Sequence, residues 1–154
     1  MVSRGFTVFL ALLRIAAGVS LILAGLTKLS WFQSSAALQQ TLAKWSAGAS
    51  TPMVARYLSV VTQHVGLFAR LVVLGELGLG ALLLVGFLTP LAALLAFLMV
   101  LNFSVASSQI LGKQFYAAPG SLVYLLSFLV IFAGKGGTAL GVDGLLAGRK
   151  QRAN

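Results

Sequence analysis

Only two carboxylates stand in this chain of 154 residues, Glu76 and Asp143, against 11 lysines and arginines. Glu76 is set inside the apolar run VVLGELGLGALLLVG, from Val72 to Gly86. A carboxylate in hydrocarbon costs on the order of 3 kcal/mol, so such a group turns to a bundle interior and takes a partner. Arg14, within LLRIAAGVS, is the matching cation by depth. At about 1.5 Å per helical residue, Arg14 lies roughly 12 Å and Glu76 roughly 16 Å from the same membrane edge. Asn102 and Tyr124 fall at roughly 15 Å by the same count, and Gln109 follows Asn102 by seven residues, on one helical face. The expectation is one polar layer of Arg14, Glu76, Asn102, Gln109 and Tyr124, with Glu76 and Arg14 paired directly, through a water or through Asn102. Such a layer can do two things. It can fix packing as an ion-pair and hydrogen-bond network, or it can serve as a functional site that binds a polar headgroup such as a quinone ring or relays a proton.

Other chemistries are excluded by residue type. No cysteine is present, which removes disulfides, thiol relays and cysteine-ligated metal. A single histidine, His64, removes a multi-histidine metal or haem site, so no metal is expected. GKGG at Gly134 to Gly137 follows an apolar run rather than a strand, and reads as a helix end and turn rather than a phosphate loop. Asp143 lies past the last apolar run and reads as a turn residue, so no hydrolytic triad forms. No catalytic residue can be named, and no covalently bound cofactor is expected.

These groups need an apolar frame. The chain is 59% hydrophobic and 8% charged, whereas soluble domains carry about 25% charged residues. It therefore reads as an all-α integral membrane protein of one domain, residues 1–154. Four stretches reach the roughly 20 residues a crossing needs: 6–29, 67–87, 91–111 and 115–134. The first carries Arg14 and no cleavage signal, and reads as a retained helix. LTP at Leu88 to Pro90 and LGKQ at Leu111 to Gln114 make short turns. The expected fold is a four-helix transmembrane bundle with one or two short amphipathic helices, within 30–66, between helices 1 and 2. Leu38, Leu42 and Trp45 share one face there; Pro52 breaks that helix, and MVARYLSVVTQHV, from Met53, restarts a helical pattern. Both helices are expected flat on the membrane surface, with Trp31 and Trp45 at headgroup depth. Lys28 and His64 are expected at the interface; a proton-entry role is the second reading of His64.

The formal charge is +9. Its cations sit near the ends of apolar runs (Arg4, Lys28, Arg70, Lys113, Lys135, Arg149, Lys150 and Arg152), which suits attraction to anionic lipid rather than nucleic acid. Four crossings put both termini on one side, and the charge excess places them in the cytoplasm.

LLRIAAGVSLILAGLTKL (Leu12 to Leu29), FARLVVLGELGLGALLLVGFLTPLAALLAFLMVLNF (Phe68 to Phe103) and GKGGTALGVDGLL (Gly134 to Leu146) together resemble DoxX-type membrane proteins. The branch they resemble is the DoxD-like small subunit of thiosulfate:quinone oxidoreductase. The resemblance implies a four-helix protein of a bacterial or archaeal cytoplasmic membrane, linked to redox chemistry and to quinone. It places Arg14, Gly25, Lys28, Glu76, Gly86, Thr89, Asn102 and Asp143 at positions where the family has similar residues. It also implies partner subunits, since thiosulfate oxidation needs a second subunit. A structural subunit packed on a larger respiratory or photosynthetic complex is the alternative from another class.

Overall fold

The computed structural model describes residues 4–111, 115–116, 120–134, 136–138 and 140–153, and for 4, 111 and 149–153 the backbone alone. Among the described residues all regular structure is helical. Helix α1 spans Arg4–Thr27, and a short 3-10 turn follows at Leu29–Phe32. Then come α2 (Ala36–Ala47), α3 (Pro52–Gln63), α4 (Val65–Val85) and α5 (Thr89–Ala106). A second 3-10 turn at Gln109–Leu111 precedes α6 (Gly120–Ala133) and α7 (Val142–Ala153).

Three of these helices are long and apolar enough to cross a membrane: Gly5–Thr27, Val65–Val85 and Thr89–Ala106. The expected fourth span, 115–134, falls partly outside the described residues. Its described helix α6 has 14 residues, about 21 Å of rise, shorter than a hydrocarbon core of about 30 Å. The expected turn at Leu111 to Gln114 and the cations Lys113 and Lys135 also lie outside the described residues, as do the side chains of Arg4, Arg149, Lys150 and Arg152.

Helix α1 runs antiparallel along α4 in the most extensive helix contact of the fold. Small residues set that approach. A Cβ on Gly18 would stand 2.8 Å from the Gly80 carbonyl oxygen, and one on Gly80 would stand 2.9 Å from the Gly18 oxygen. The backbones therefore touch, as packing between membrane helices favours. Leu10, Ala17 and Leu21 of α1, Leu83 of α4, Ala92, Ala93 and Ala96 of α5, and Phe128 and Ile131 of α6 close one core around this contact.

The register offsets the two helices, so that α4 runs on past the end of α1. Gly25, near the end of α1, lies beside Glu76 and Leu77. About eleven residues of α4, from Val65 to Gly75, continue past that level, roughly 16 Å. Helices α2 and α3 cover this overhang. Thr51 caps α3, its hydroxyl accepting from the Val54 amide at 3.3 Å, and Pro52 fills the first helical position. Leu38 and Leu42 of α2 and Val54, Leu58 and Val61 of α3 bury themselves on Ala69 of α4 and Ala106 of α5. Both helices fall where the sequence places them. Their apolar faces meet the bundle's own helices α4 and α5. An uncovered stretch of α4 and α5 offers apolar surface closer than the bilayer does.

Candidate functional site

The polar side chains singled out in the sequence fall into two charged centres and three neutral contacts. Arg14 is fully buried. Its Nη1 donates to the Leu83 carbonyl at 2.8 Å and, at a longer 3.5 Å, to that of Leu84. Its Nη2 donates to the Leu140 carbonyl at 2.9 Å. Leu83 and Leu84 belong to the last turn of α4, where carbonyls lack the regular helical partner; besides Arg14, the Leu83 oxygen takes only a 3.2 Å bond from the Gly86 amide among the described residues. Arg14 therefore closes the C-terminus of α4, where a cation also complements the helix dipole. Gly86 ends that helix at φ 70, and the guanidinium fills the space that a Cβ on Gly86 would need.

Asp143 works on the other side of the same turn. Its Oδ1 accepts from the Leu88 amide and its Oδ2 from the Thr89 amide, each at 2.9 Å. Those amides open α5, where donors lack partners and a carboxylate is favoured. The Asp143 amide in turn donates to the Gly86 carbonyl at 2.9 Å. Leu88 stands at φ 48, a left-handed conformation that costs a branched side chain about 1 kcal/mol or more. The carboxylate holds it there. Asp143 is thus more than the turn residue the sequence suggested: it fastens α7 to the start of α5. Beside it, Arg14 Nε and Thr89 Oγ1 are buried without a hydrogen-bond partner among the described residues.

Glu76 belongs to the second centre. Lys28 Nζ meets its Oε1 at 2.6 Å and its Oε2 at 2.8 Å. The Glu76 side chain is 5% exposed and that of Lys28 26%. The Trp31 ring lies with its centroid 5.9 Å from the Lys28 ammonium, within cation–π range. The expected Arg14–Glu76 pair does not form. Arg14 comes level with Leu83, seven residues along α4 from Glu76, an axial offset of about 10 Å. Counting depth from the ends of apolar runs assumes that the start of α1 and the end of α4 lie in one plane, and the offset between the two helices breaks that assumption.

Nor do the three neutral residues join one layer. Asn102 is exposed on α5, and its Nδ2 donates to the Tyr57 oxygen of α3 at 2.7 Å. Helix α5 ends at Ala106, so Gln109 leaves the face of Asn102 and sits exposed in the following 3-10 turn. There Ser121 Oγ approaches its Oε1 at 3.5 Å. Tyr124 is half-buried on α6, edge-on to Phe128 with centroids 4.7 Å apart, and its hydroxyl points to the Ala17 carbonyl at 3.4 Å. Trp45 is half-buried against Phe103, with centroids 6.4 Å apart. His64 is exposed at the one-residue break between α3 and α4.

Sequence reasoning missed the Lys28–Glu76 pair, the anchoring role of Asp143 and the whole of Tyr57. A signal for the first was present: Lys28 continues the stripe of Arg14, Gly18 and Gly25 along one face of α1. No pattern marked Tyr57, whose partner lies 45 residues away. Chemically, Arg14 and Asp143 are committed to backbone groups and Glu76 to Lys28. The Tyr57–Asn102 contact, at 2.7 Å, is the shorter of two pairings of neutral polar side chains at an exposed edge, the other being Ser121–Gln109 at 3.5 Å.

Long apolar helices with charges turned inward define a multi-pass helical membrane protein. The DoxX family model matches residues 9–107, which hold Arg14, Lys28, Glu76 and Asn102, and the chain belongs to the DoxX family. Comparison with curated proteins and with solved structures gives no match.

Proposed function

We propose that this protein is a small membrane subunit of a quinone-linked redox complex, akin to the DoxD-like subunit of thiosulfate:quinone oxidoreductase, and that it does not turn over alone. The match to the DoxX family over residues 9–107 carries this reading. The composition supports it: a chain with no cysteine and one histidine has few groups able to hold an electron carrier, so electrons come from a partner subunit. In this reading α6 and the residues before it complete a fourth crossing of a bacterial cytoplasmic membrane, with both termini inside. The exposed cations Lys44, Arg56 and Arg70 suit anionic lipid, since Glu76 and Asp143 are both engaged within the chain.

A second reading, a structural subunit on a larger respiratory or photosynthetic complex, draws on one observation. Both charged centres bond to the chain itself, as groups that only fix packing would. Purification from the native membrane in mild detergent, followed by mass spectrometry of proteins and extracted lipids, separates the two. A redox partner together with quinone is the expected outcome. A large assembly without quinone supports the structural reading, and a lone chain that reduces quinone with thiosulfate overturns both.

A further inference from the structure

We propose that Tyr57 and Asn102 form a headgroup site for a quinone or quinol ring at the seam between the α2–α3 cap and the last turns of α5; this rests on the quinone-linked reading above. Asn102 stands about 6 Å of helix rise before the end of α5, on a face that packing leaves exposed. A primary amide on the exposed face of a membrane-crossing helix is expensive unless its polar atoms find partners. One does: Nδ2 donates to the Tyr57 oxygen at 2.7 Å. That bond uses Tyr57 as the acceptor. Its phenolic proton and the Asn102 Oδ1 enter no other hydrogen bond among the described residues. One unused donor and one unused acceptor therefore sit side by side at an exposed contact.

That pairing selects chemistry. A carbonyl oxygen accepts from the Tyr57 hydroxyl, and a hydroxyl on the reduced ring donates to Asn102 Oδ1, so one edge serves both forms of the molecule. The neighbours suit a flat ring. Trp45 and Phe103 face each other at the same seam, their rings tilted by 56°, and Phe68 and Val72 stand behind. The cavity under the cap holds about 30 Å³, room for a water or two and not for a ring. The ring therefore lies at the mouth, with its oxygen on the Tyr57–Asn102 edge, its face on Trp45 and Phe103, and its tail in lipid.

The two tryptophans are Trp31 and Trp45, so Trp31→Phe leaves Trp45 as the sole reporter at the site. The experiment titrates a decyl-tailed benzoquinone into this variant in lipid nanodiscs and reads tryptophan quenching. Saturable quenching is expected, with Tyr57→Phe and Asn102→Leu each weakening the midpoint by about three- to tenfold while the helical circular dichroism is kept. Equal, saturable curves in all three proteins overturn this site and leave the quinone-linked reading standing. Quenching that stays linear in every protein, including the Trp31→Phe parent, overturns both. The same donor–acceptor edge could take a phospholipid ester carbonyl. If so, the Asn102 side-chain amide resonances shift when ester-linked lipid is exchanged for ether-linked lipid and not when the quinone is added, and that result also overturns the assignment.

Discussion

At the end of the bundle where Gly86 turns α4 into α5, charged side chains bond to backbone; at the end covered by α2 and α3, they bond to each other. The first arrangement is local in purpose. Arg14 satisfies carbonyls at the end of one helix and Asp143 satisfies amides at the start of the next. Two unlike charges thus hold one tight turn whose geometry, φ 70 at Gly86 and φ 48 at Leu88, needs holding. The second arrangement is tertiary. Lys28 and Glu76 tie the foot of α1 to the middle of α4, and Tyr57 and Asn102 tie the cap to α5. Helix ends carry unsatisfied groups whatever the tertiary structure, so the first end has a fixed task. The second end joins elements that could separate, and it keeps a lysine 26% exposed and an open amide.

The sharpest break in this comparison comes from Arg14→Met. It removes the guanidinium from the buried Leu83 carbonyl and the part-buried Leu140 carbonyl, and leaves Asp143 without its nearby cation. A loss of about 3–5 kcal/mol is expected, as for removing one member of a buried charged set. Unfolding by denaturing detergent, followed by circular dichroism, reads it. A loss below about 1 kcal/mol would mean that water or lipid caps α4 equally well.

Next comes Lys28→Met, which leaves the Glu76 carboxylate buried and unpaired. The expected loss is about 3 kcal/mol, the low end for a buried pair because Lys28 is partly exposed. The double variant Lys28→Met with Glu76→Leu should recover much of it. Arg14→Met combined with Glu76→Gln should instead lose the sum of the two single effects within about 0.5 kcal/mol. Strong coupling between Arg14 and Glu76 would contradict the register described here and restore the pairing that depth counting suggested.

That pairing shows what was legible in the sequence. Helices α1, α4 and α5 fall close to the apolar runs, because unbroken apolar length is a local property. Pro52 marked the start of α3, and the spacing of Leu38 and Leu42 gave the buried face of α2, for the same reason. Depth in the membrane was not legible. It depends on how far α1 slides along α4, which the contact of Gly18 with Gly80 fixes, and spacing within one helix carries no information about sliding between two. The end of α5 at Ala106 hid in the same way. LNFSVASSQIL continues a helical pattern, yet Ser108 stands at φ 57 and the Ser50 amide bonds to its hydroxyl at 3.1 Å, a contact only the folded cap supplies.

A smaller effect tests the turn itself. Asp143→Ala removes two charge-assisted hydrogen bonds at the start of α5 and releases Leu88 from its restraint. Loss of an N-terminal cap costs about 1–2 kcal/mol. Asp143→Asn keeps one acceptor oxygen and should lose about half as much. Hydrogen exchange at the residue-143 amide, which donates to the Gly86 carbonyl, reports whether α7 has left the turn. If both variants keep full stability and full protection of that amide, α7 is held by something other than the carboxylate.

The smallest effect should come from Gln109→Ala. The sequence set Gln109 in the same layer as Glu76, about two turns along one helical face from Asn102. The fold sets it past the end of α5, exposed, with one contact at 3.5 Å to Ser121, at the far limit of a hydrogen bond. Exposed groups away from caps and buried networks change stability by less than about 0.5 kcal/mol. Gln109→Ala should therefore unfold at the same detergent fraction as the parent protein and leave quinone quenching of Trp45 unchanged, while Asn102→Leu alters the quenching. A loss as large as that of Lys28→Met would place Gln109 inside the bundle and require α5 to continue past Ala106. Equal effects of Gln109→Ala and Asn102→Leu on quenching would move the headgroup away from the Tyr57 seam and toward α6.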